Sequence, residues 1–283
     1  MPNDNIVNSS ATVAATAEET GKTKKGKADI FLGSNITCTF GHGKKQITAI
    51  KNLSFDIKEE EIVSIVGGSG CGKSVLAKTM LGLIKPSKGK ILYNNRMIAD
   101  LKRHWREVQA VYQDPFSCFN QFFTIRSQLK SSFGIFKEKI SNTEKEDRVD
   151  EALLAVNIKP KEIEGKYPFE LSGGQMQRML LARIFALKPK VLIADEPTSM
   201  VDACVRANIL DYLMKLKEEL KMTIVFVTHD IGLAYYVSDR LFIMHDGRIV
   251  EQGSPDDVTL RPKNRHTIQL LDDIPDVNKQ WIK

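Results

Sequence analysis

The chain has 283 residues, of which 42% are hydrophobic, and carries a formal net charge of +6. That length is long for one compact unit and short for two, so one domain with an inserted or appended subdomain fits best, with ample apolar content for a core. The mild charge, scattered rather than striped, permits contact with phosphate or an anionic surface but gives no case for nucleic acid, and no apolar run is long enough to span a bilayer.

Residues 1–28 are rich in Ser, Thr, Ala and Lys, with almost no large apolar side chains. Such a stretch cannot bury enough surface to offset the entropy of ordering, so a disordered tail is expected there. It lacks the apolar core of a signal peptide. Its basic cluster (Lys22, Lys24, Lys25, Lys27) is expected to be solvated, with weak lipid attraction as the lesser alternative. From Ile30 to Ile57 two alternating runs flank a Gly41-His42-Gly43-Lys44 turn and predict paired strands.

The β-branched run Ile62, Val63, Ile65, Val66 predicts a buried strand, broken at Gly67-Gly68-Ser69-Gly70-Cys71-Gly72. Lys73-Ser74 then open a segment in which Val75, Leu76, Met80 and Leu83 recur at helical spacing. Gly67-x-x-x-x-Gly72-Lys73-Ser74 is the phosphate-loop pattern in its confirming context, strand before and helix after. Glycines let successive backbone N–H groups turn inward on an anion, and the helix N-terminus adds partial positive charge. Lys73 can reach the β- and γ-phosphates of a nucleotide, while the Ser74 hydroxyl can ligate Mg²⁺. A glycine-rich turn beside an ordinary surface lysine is the alternative, and the flanking elements favour nucleotide binding.

Lys85-Pro86-Ser87-Lys88-Gly89 stops the helix, and KILYNNRMI predicts a hairpin around Asn94-Asn95. Val108 to Tyr112 reads as a core strand ending at Gln113-Asp114-Pro115. Residues 116–188 change character: Phe116, Phe119, Phe122, Phe123, Phe133 and Phe136 are spaced like helix faces, and Arg148 to Val156 is amphipathic, so a helical subdomain is expected. It ends at Leu171-Ser172-Gly173-Gly174-Gln175, from which a helix runs through Met179, Leu180, Ile184 and Leu187. Val191 to Ala194 is a second buried strand closed by Asp195-Glu196-Pro197-Thr198. A helix (Ile209, Leu210, Leu213, Leu216), the strand Thr223–Val227 and Thr228-His229-Asp230 follow, then a hairpin turning at Asp246-Gly247 and a short apolar segment from Ile268 to Leu271. Strands alternating with helices around a phosphate loop predict an α/β fold with a mostly parallel sheet, overlaid by an antiparallel β-subdomain. The four cysteines (Cys38, Cys71, Cys118, Cys204) form no CxxC pair, so reduced thiols in a cytosolic protein are expected.

Several residues stand where chemistry can occur. Asp195 and Glu196 end a buried strand, where ligands collect in open α/β sheets. An Asp there can hold Mg²⁺ and the adjacent Glu can polarise an attacking water, although a strand-end acidic pair can also cap a helix. The Gln113 amide could touch Mg²⁺ or water, against the default of a solvated glutamine. His229 could bond a γ-phosphate, whereas a lone histidine is more often structural. The remaining histidines, His42, His104, His245 and His266, have no metal-ligand spacing. Ser172-Gly173-Gly174-Gln175 is a second glycine-rich helix start and hence a second anion receptor. Two receptors with one catalytic carboxylate make sense if a γ-phosphate lies between the phosphate loop of one subunit and the second receptor of another.

In these motifs the chain resembles ATP-binding-cassette (ABC) ATPases. The phosphate loop, Gln113, LSGGQMQR (Leu171–Arg178), VLIADEP (Val191–Pro197), Ser199-Met200-Val201-Asp202 and His229 occur in that family's order and spacing, over roughly residues 30–255. The LSGGQ stretch is the most specific, because other phosphate-loop ATPases lack it. The resemblance implies a P-loop, RecA-like core, with an ABC ATPase domain over 29–255, its helical subdomain over about 116–188, and a C-terminal extension over 256–283. It implies head-to-tail dimers sandwiching ATP, each site built from one chain's phosphate loop and the other's signature serine. It also implies roles for single residues: Phe40 stacking on adenine (a core strand aromatic being the equal alternative), Asp202 communicating across the dimer, and Gln113 relaying to a membrane partner. Glu196 would act as base, with His229 and Lys73 beside it. Ser74, Gln113 and Asp195 would surround Mg²⁺, and alkylation of Cys71 would block nucleotide binding.

VYQDPFS, ADEPTSMVD, YYVSDR and GRIVEQGSPDDV are similar to the ATPases of oligopeptide, dipeptide and nickel importers, particularly the second of their two. That similarity implies a subunit at the cytoplasmic face of the membrane. Its partners would be transmembrane permease subunits seated in an apolar, phenylalanine-rich groove, a second ABC ATPase (a paralogue or itself) and, indirectly, an extracytoplasmic solute-binding protein. No cysteine follows Cys204, which removes the case for an iron–sulfur site. The competing classes are a non-transport ABC protein acting on DNA or ribosomes, an ATP-binding scaffold without turnover, and an exporter. The short interval between Gln113 and Ser172 argues against the first, and intact Glu196 and His229 argue against the second.

Overall fold

A computed structural model describes residues 27–41, 43–198 and 203–273. Residues 199–202, Asp202 among them, and the tail up to residue 26 lie outside the described residues. Lys27 and Ala28, expected in the tail, instead belong to the fold: Lys27 Nζ donates to Glu60 O at 2.8 Å and Ala28 O accepts from Glu59 N at 2.9 Å.

Two sheets form the frame. Strands β1 (Asp29–Phe40), β2 (Ile47–Lys58), β4 (Lys88–Tyr93) and β5 (Arg96–Met97) make an antiparallel sheet in the order β2-β1-β4-β5. The β4–β5 turn falls on Asn94 and Asn95, with φ of 47° and 58°. Successive left-handed residues are the demand of a tight hairpin, and asparagine tolerates them. The second sheet, in the order β10-β9-β3-β8-β7-β6, joins β3 (Ile62–Val66), β6 (Val108–Val111), β7 (Val191–Asp195), β8 (Thr223–Thr228), β9 (Arg240–His245) and β10 (Arg248–Gly253). Its pairings are parallel except β9–β10. β3, β7 and β8 are buried along their whole length, which explains their unbroken apolar runs: helices cover one face of the parallel sheet, and the other shares a core with the antiparallel sheet and the helix that follows β3.

Helix α1 (Lys73–Met80) follows β3, and α2 (Leu101–Glu107) precedes β6. His104 Nε2 and Trp105 Nε1 of α2 reach the carbonyls of Met80 and Leu81, both at 2.8 Å, and so close the C-terminal end of α1. Between β6 and β7 lie α3 (Ile125–Ser131), α4 (Asn142–Ala155) and α5 (Gly173–Leu187), whose apolar faces share one core with Phe119, Phe133 and Leu171. α6 (Ala203–Leu220) and α7 (Ile231–Val237) complete the α/β layers, and α8 (Pro255–Leu260) and α9 (Arg265–Asp272) pack beside β9 and β10. Among the described residues no helix is long and apolar enough to cross a membrane.

Two expectations need correction. Residues 116–123 do not form a helix; a single 3-10 turn (Phe116–Cys118) leads into irregular chain held by the Gln128 side chain, which donates to Asn120 O and Phe123 O. The phenylalanines also do not line a shared groove. Phe119 and Phe133 enter the core, while Phe122 and Phe123 are exposed. Aromatic side chains at intervals of three or four suit a helix face but equally a loop that drops alternate rings into a neighbouring core.

Candidate active site

The loop between β3 and α1 is shaped by two close approaches. At Gly67 a Cβ would lie 2.2 Å from Met244 O, so the end of β9 packs directly against the loop backbone. Gly72, at φ 108°, takes a conformation closed to other residues, and a Cβ there would meet Ala49 O at 2.6 Å. Gly247 N donates to Cys71 O at 3.0 Å and Gly247 O accepts from Lys51 N at 2.9 Å, so the β9–β10 turn buttresses the loop.

Within it, Lys73 is buried and its Nζ donates to Gly67 O at 2.8 Å and Gly68 O at 3.0 Å. The ammonium is thus held over the loop by these two carbonyls, which it can exchange for phosphate oxygens. Ser74 Oγ donates to Asp195 Oδ1 at 3.2 Å. Asp195 is buried, and burial pushes its carboxyl above the usual range, with the nearby Glu196 carboxylate adding to the rise and the Ser74 hydrogen bond opposing it. A carboxylate penalised in this way calls for a cation. Hydroxyl and carboxylate oxygens are the donors Mg²⁺ takes, and the remaining coordination would come from water and phosphate. Among the described residues no three His, Cys, Asp or Glu side chains could hold a metal by themselves.

Glu196 has φ of 50°, unusual for a non-glycine residue, and its N–H donates to Val227 O at 2.9 Å. Its Oε2 lies 3.4 Å from His229 Nδ1, and His229 leaves most of its ring in solvent. Asp230, the next residue, caps α7 by accepting from Gly232 N and Leu233 N. Ser69, Gly70, Gly72, Lys73, Ser74, Gln113, Asp195 and Glu196 line one cavity of about 440 Å³, which His229 joins through Glu196.

Two expected groups stand elsewhere. Phe40 does not line that cavity; it is 41% exposed at the end of β1, so the core-aromatic alternative is wrong. Ser172, Gly173, Gly174 and Gln175 also lie outside it, at the start of α5. There Ser172 Oγ accepts from Gln175 N at 3.3 Å and Gln175 Oε1 accepts from Ser172 N at 2.9 Å, a closed capping box. Among the described residues the Ser172 hydroxyl has no acceptor of its own. The Cys71 thiol is buried, and burial raises its pKa with Lys73 working against the rise, so it is a poorer target for alkylation than its place in the loop suggests.

Sequence reasoning misses two residues. Ala49 lines the cavity from β2 and walls in Gly72, a contact no local pattern announces. Gln177, 1% exposed on α5, donates from Nε2 to Pro197 O at 2.7 Å; a glutamine on the apolar face of a helix was the available signal.

Comparison with known proteins agrees with this geometry. The ABC transporter family model matches residues 50–199. The oligopeptide transport ATP-binding protein AppF of Bacillus subtilis (strain 168) is 35% identical over 240 residues, 83% of this chain and 72% of that protein. The oligopeptide transport ATP-binding protein OppF of Streptococcus mutans is 34% identical over 248 residues, 86% and 80% of the two chains. Among solved structures, the dimeric post-hydrolysis state of the ATP-binding cassette MJ0796, bound to ADP and Pi, superposes with a TM-score of 0.71 at 30% identity, covering 80% of this chain and 98% of that one. CbiO1 from Clostridium perfringens, part of the ABC transporter complex cbiONQ, gives 0.71 at 32% identity, covering 82% and 91%. On the family match and the identity to these relatives, the chain belongs to the ABC transporter family.

Proposed function

We propose that the chain hydrolyses ATP in a head-to-tail dimer of cassettes and so drives uptake of oligopeptides or a related small solute through a membrane permease. One observation carries this reading: the phosphate loop, Asp195 and Glu196 share a cavity, while Ser172, the other anion receptor, stands outside it. A second cassette facing this one would supply the missing receptor. The dimeric MJ0796 cassette bound to ADP and Pi supports that arrangement, and the names of AppF and OppF support the cargo.

In this mechanism the loop N–H groups and the α1 N-terminus hold the β-phosphate, and Lys73 leaves the Gly67 and Gly68 carbonyls for the γ-phosphate. Ser74 and Asp195, with Gln113 at the cavity wall, would hold Mg²⁺, which when bound would neutralise charge on the phosphates. Glu196 orients the attacking water and takes its proton, and His229 fixes the carboxylate and faces the γ-phosphate. Phe40, exposed beside the loop that follows β1, stacks on the adenine, and Asp202 communicates between the two sites.

The permease seats in a groove of about 380 Å³ lined by Leu81, Leu83, Trp105, Tyr112, Ile135 and Arg183. Arg183 Nε is buried with no hydrogen-bond partner among the described residues. Purifying the tagged chain from membranes tests the reading: a multi-span permease and a cassette should co-purify and release phosphate from ATP. Recovery without any membrane protein, or with no ATP turnover, would contradict it.

A further inference from the structure

The conformation of Glu196 is held from both sides. A residue before proline is biased towards extended backbone, yet Glu196 sits at φ 50° ahead of Pro197. On its N-terminal side the restraint is backbone: Glu196 N–H to Val227 O of β8, 2.9 Å. On its C-terminal side a side chain adds to it: the Gln177 amide donates to Pro197 O at 2.7 Å. Strained residues persist only where the surroundings over-determine them; β8 belongs to the same sheet as the strand that Glu196 ends, and Gln177 is the restraint that an element outside the sheet brings.

That element is the helix whose first turn carries Ser172. Gln177 lies five residues beyond the N-cap, roughly 7.5 Å along the axis. α5 is a 15-residue helix packed into the core, so a load on its N-terminus shifts Gln177 with it rather than being absorbed locally. Pro197 and Thr198 are buried, which leaves the segment after Glu196 little freedom to follow any other cue.

We propose that Gln177 is a positioning residue: it keeps Glu196 in its hydrolytic conformation and reports to it the occupancy of the α5 N-terminus. The inference rests on the head-to-tail reading above, in which that N-terminus receives the γ-phosphate bound by the opposite cassette. Each chain then sets its own Glu196 according to whether its helix has engaged the opposite nucleotide. Gln177 touches no substrate. It acts through the Pro197 carbonyl.

Gln177→Leu keeps the volume and removes the donor. Assayed in the full chain against the wild type, it should lower kcat about tenfold, the shift in population that a left-handed bias at one residue is worth, while KM for ATP and binding of a fluorescent ATP analogue change by less than about twofold. An unchanged kcat in Gln177→Leu, while the wild type turns over, overturns the role of Gln177 alone. A parallel loss of kcat, ATP binding and folded fraction also overturns it, since that is the mark of a structural glutamine. Absence of turnover in the wild type overturns the parent reading instead. Should Gln177→Leu not fold, Gln177→Glu carries the test. Its protonated carboxyl can donate to Pro197 O and its ionised form cannot, so kcat relative to the wild type should fall as pH rises at constant KM. A ratio flat with pH overturns the proposal.

Discussion

Replacing Gly72 by alanine should damage the phosphate loop more than any other single methyl added within it except at Gly67. Two costs add at Gly72. The backbone at φ 108° is outside the region an alanine adopts, which costs about 1–2 kcal/mol. The new Cβ would stand 2.6 Å from Ala49 O, well inside contact distance, and Ala49 belongs to β2, whose pairing with β1 keeps it from retreating. Overpacking of that kind costs about 1–3 kcal/mol. The sum, about 2–5 kcal/mol, is a large share of the 5–15 kcal/mol that holds a typical domain together. What relief is possible comes from moving the loop, which takes its N–H groups off the phosphates. Urea unfolding of the ATP-free chain gives the stability loss, and titration with a fluorescent ATP analogue gives the loss of affinity. Gly70→Ala and Gly68→Ala are the internal controls. Gly70 has φ of 75° but open space around a Cβ, so only the backbone cost of about 1–2 kcal/mol applies. Gly68 has neither constraint and should be near neutral. A Gly72→Ala loss within about 0.5 kcal/mol of that at Gly68 would refute the reasoning, because it would mean that β2 does not wall in the loop.

Two further outcomes follow from buried titratable groups. Iodoacetamide should modify Cys71 more slowly than a free thiol at neutral pH, and saturating ATP should slow it further; labelling at the free-thiol rate would show the sulfur to be exposed. Asp195 has a folded-state pKa raised by burial, so the folded chain binds the extra proton and its stability falls as pH rises from the unfolded carboxyl value through the raised one. Asp195→Asn removes that penalty. Its stability relative to the wild type, without nucleotide, should therefore climb with pH across this window and then level off. A difference independent of pH would count against a penalised carboxylate.

Most of the site is written locally in the chain. A phosphate loop needs particular residue types at fixed spacing, so Gly67 to Ser74 can be read directly, as can the Asp195-Glu196 pair after an unbroken apolar strand and the Ser172–Gln175 capping box. The Asn94-Asn95 and Asp246-Gly247 turns are equally plain, because few residues tolerate positive φ. What resists reading depends on contacts distant in sequence. Nothing near Gly72 says that Ala49 encloses it, and nothing near Glu196 says that Val227 and Gln177 hold it in the left-handed region. The phenylalanines of 116–136 mislead for a related reason: their spacing suits a helix, but which rings enter the core depends on how Gln128 ties the loop.

The central claim is that ATP is clamped between two cassettes, and Glu196→Gln isolates it by leaving the phosphate loop intact while removing the base. Sedimentation of the Glu196→Gln chain, alone and mixed with the cassette that co-purifies from membranes, should show dimers with ATP and monomers with ADP. Monomers in both mixtures at saturating ATP would contradict the account.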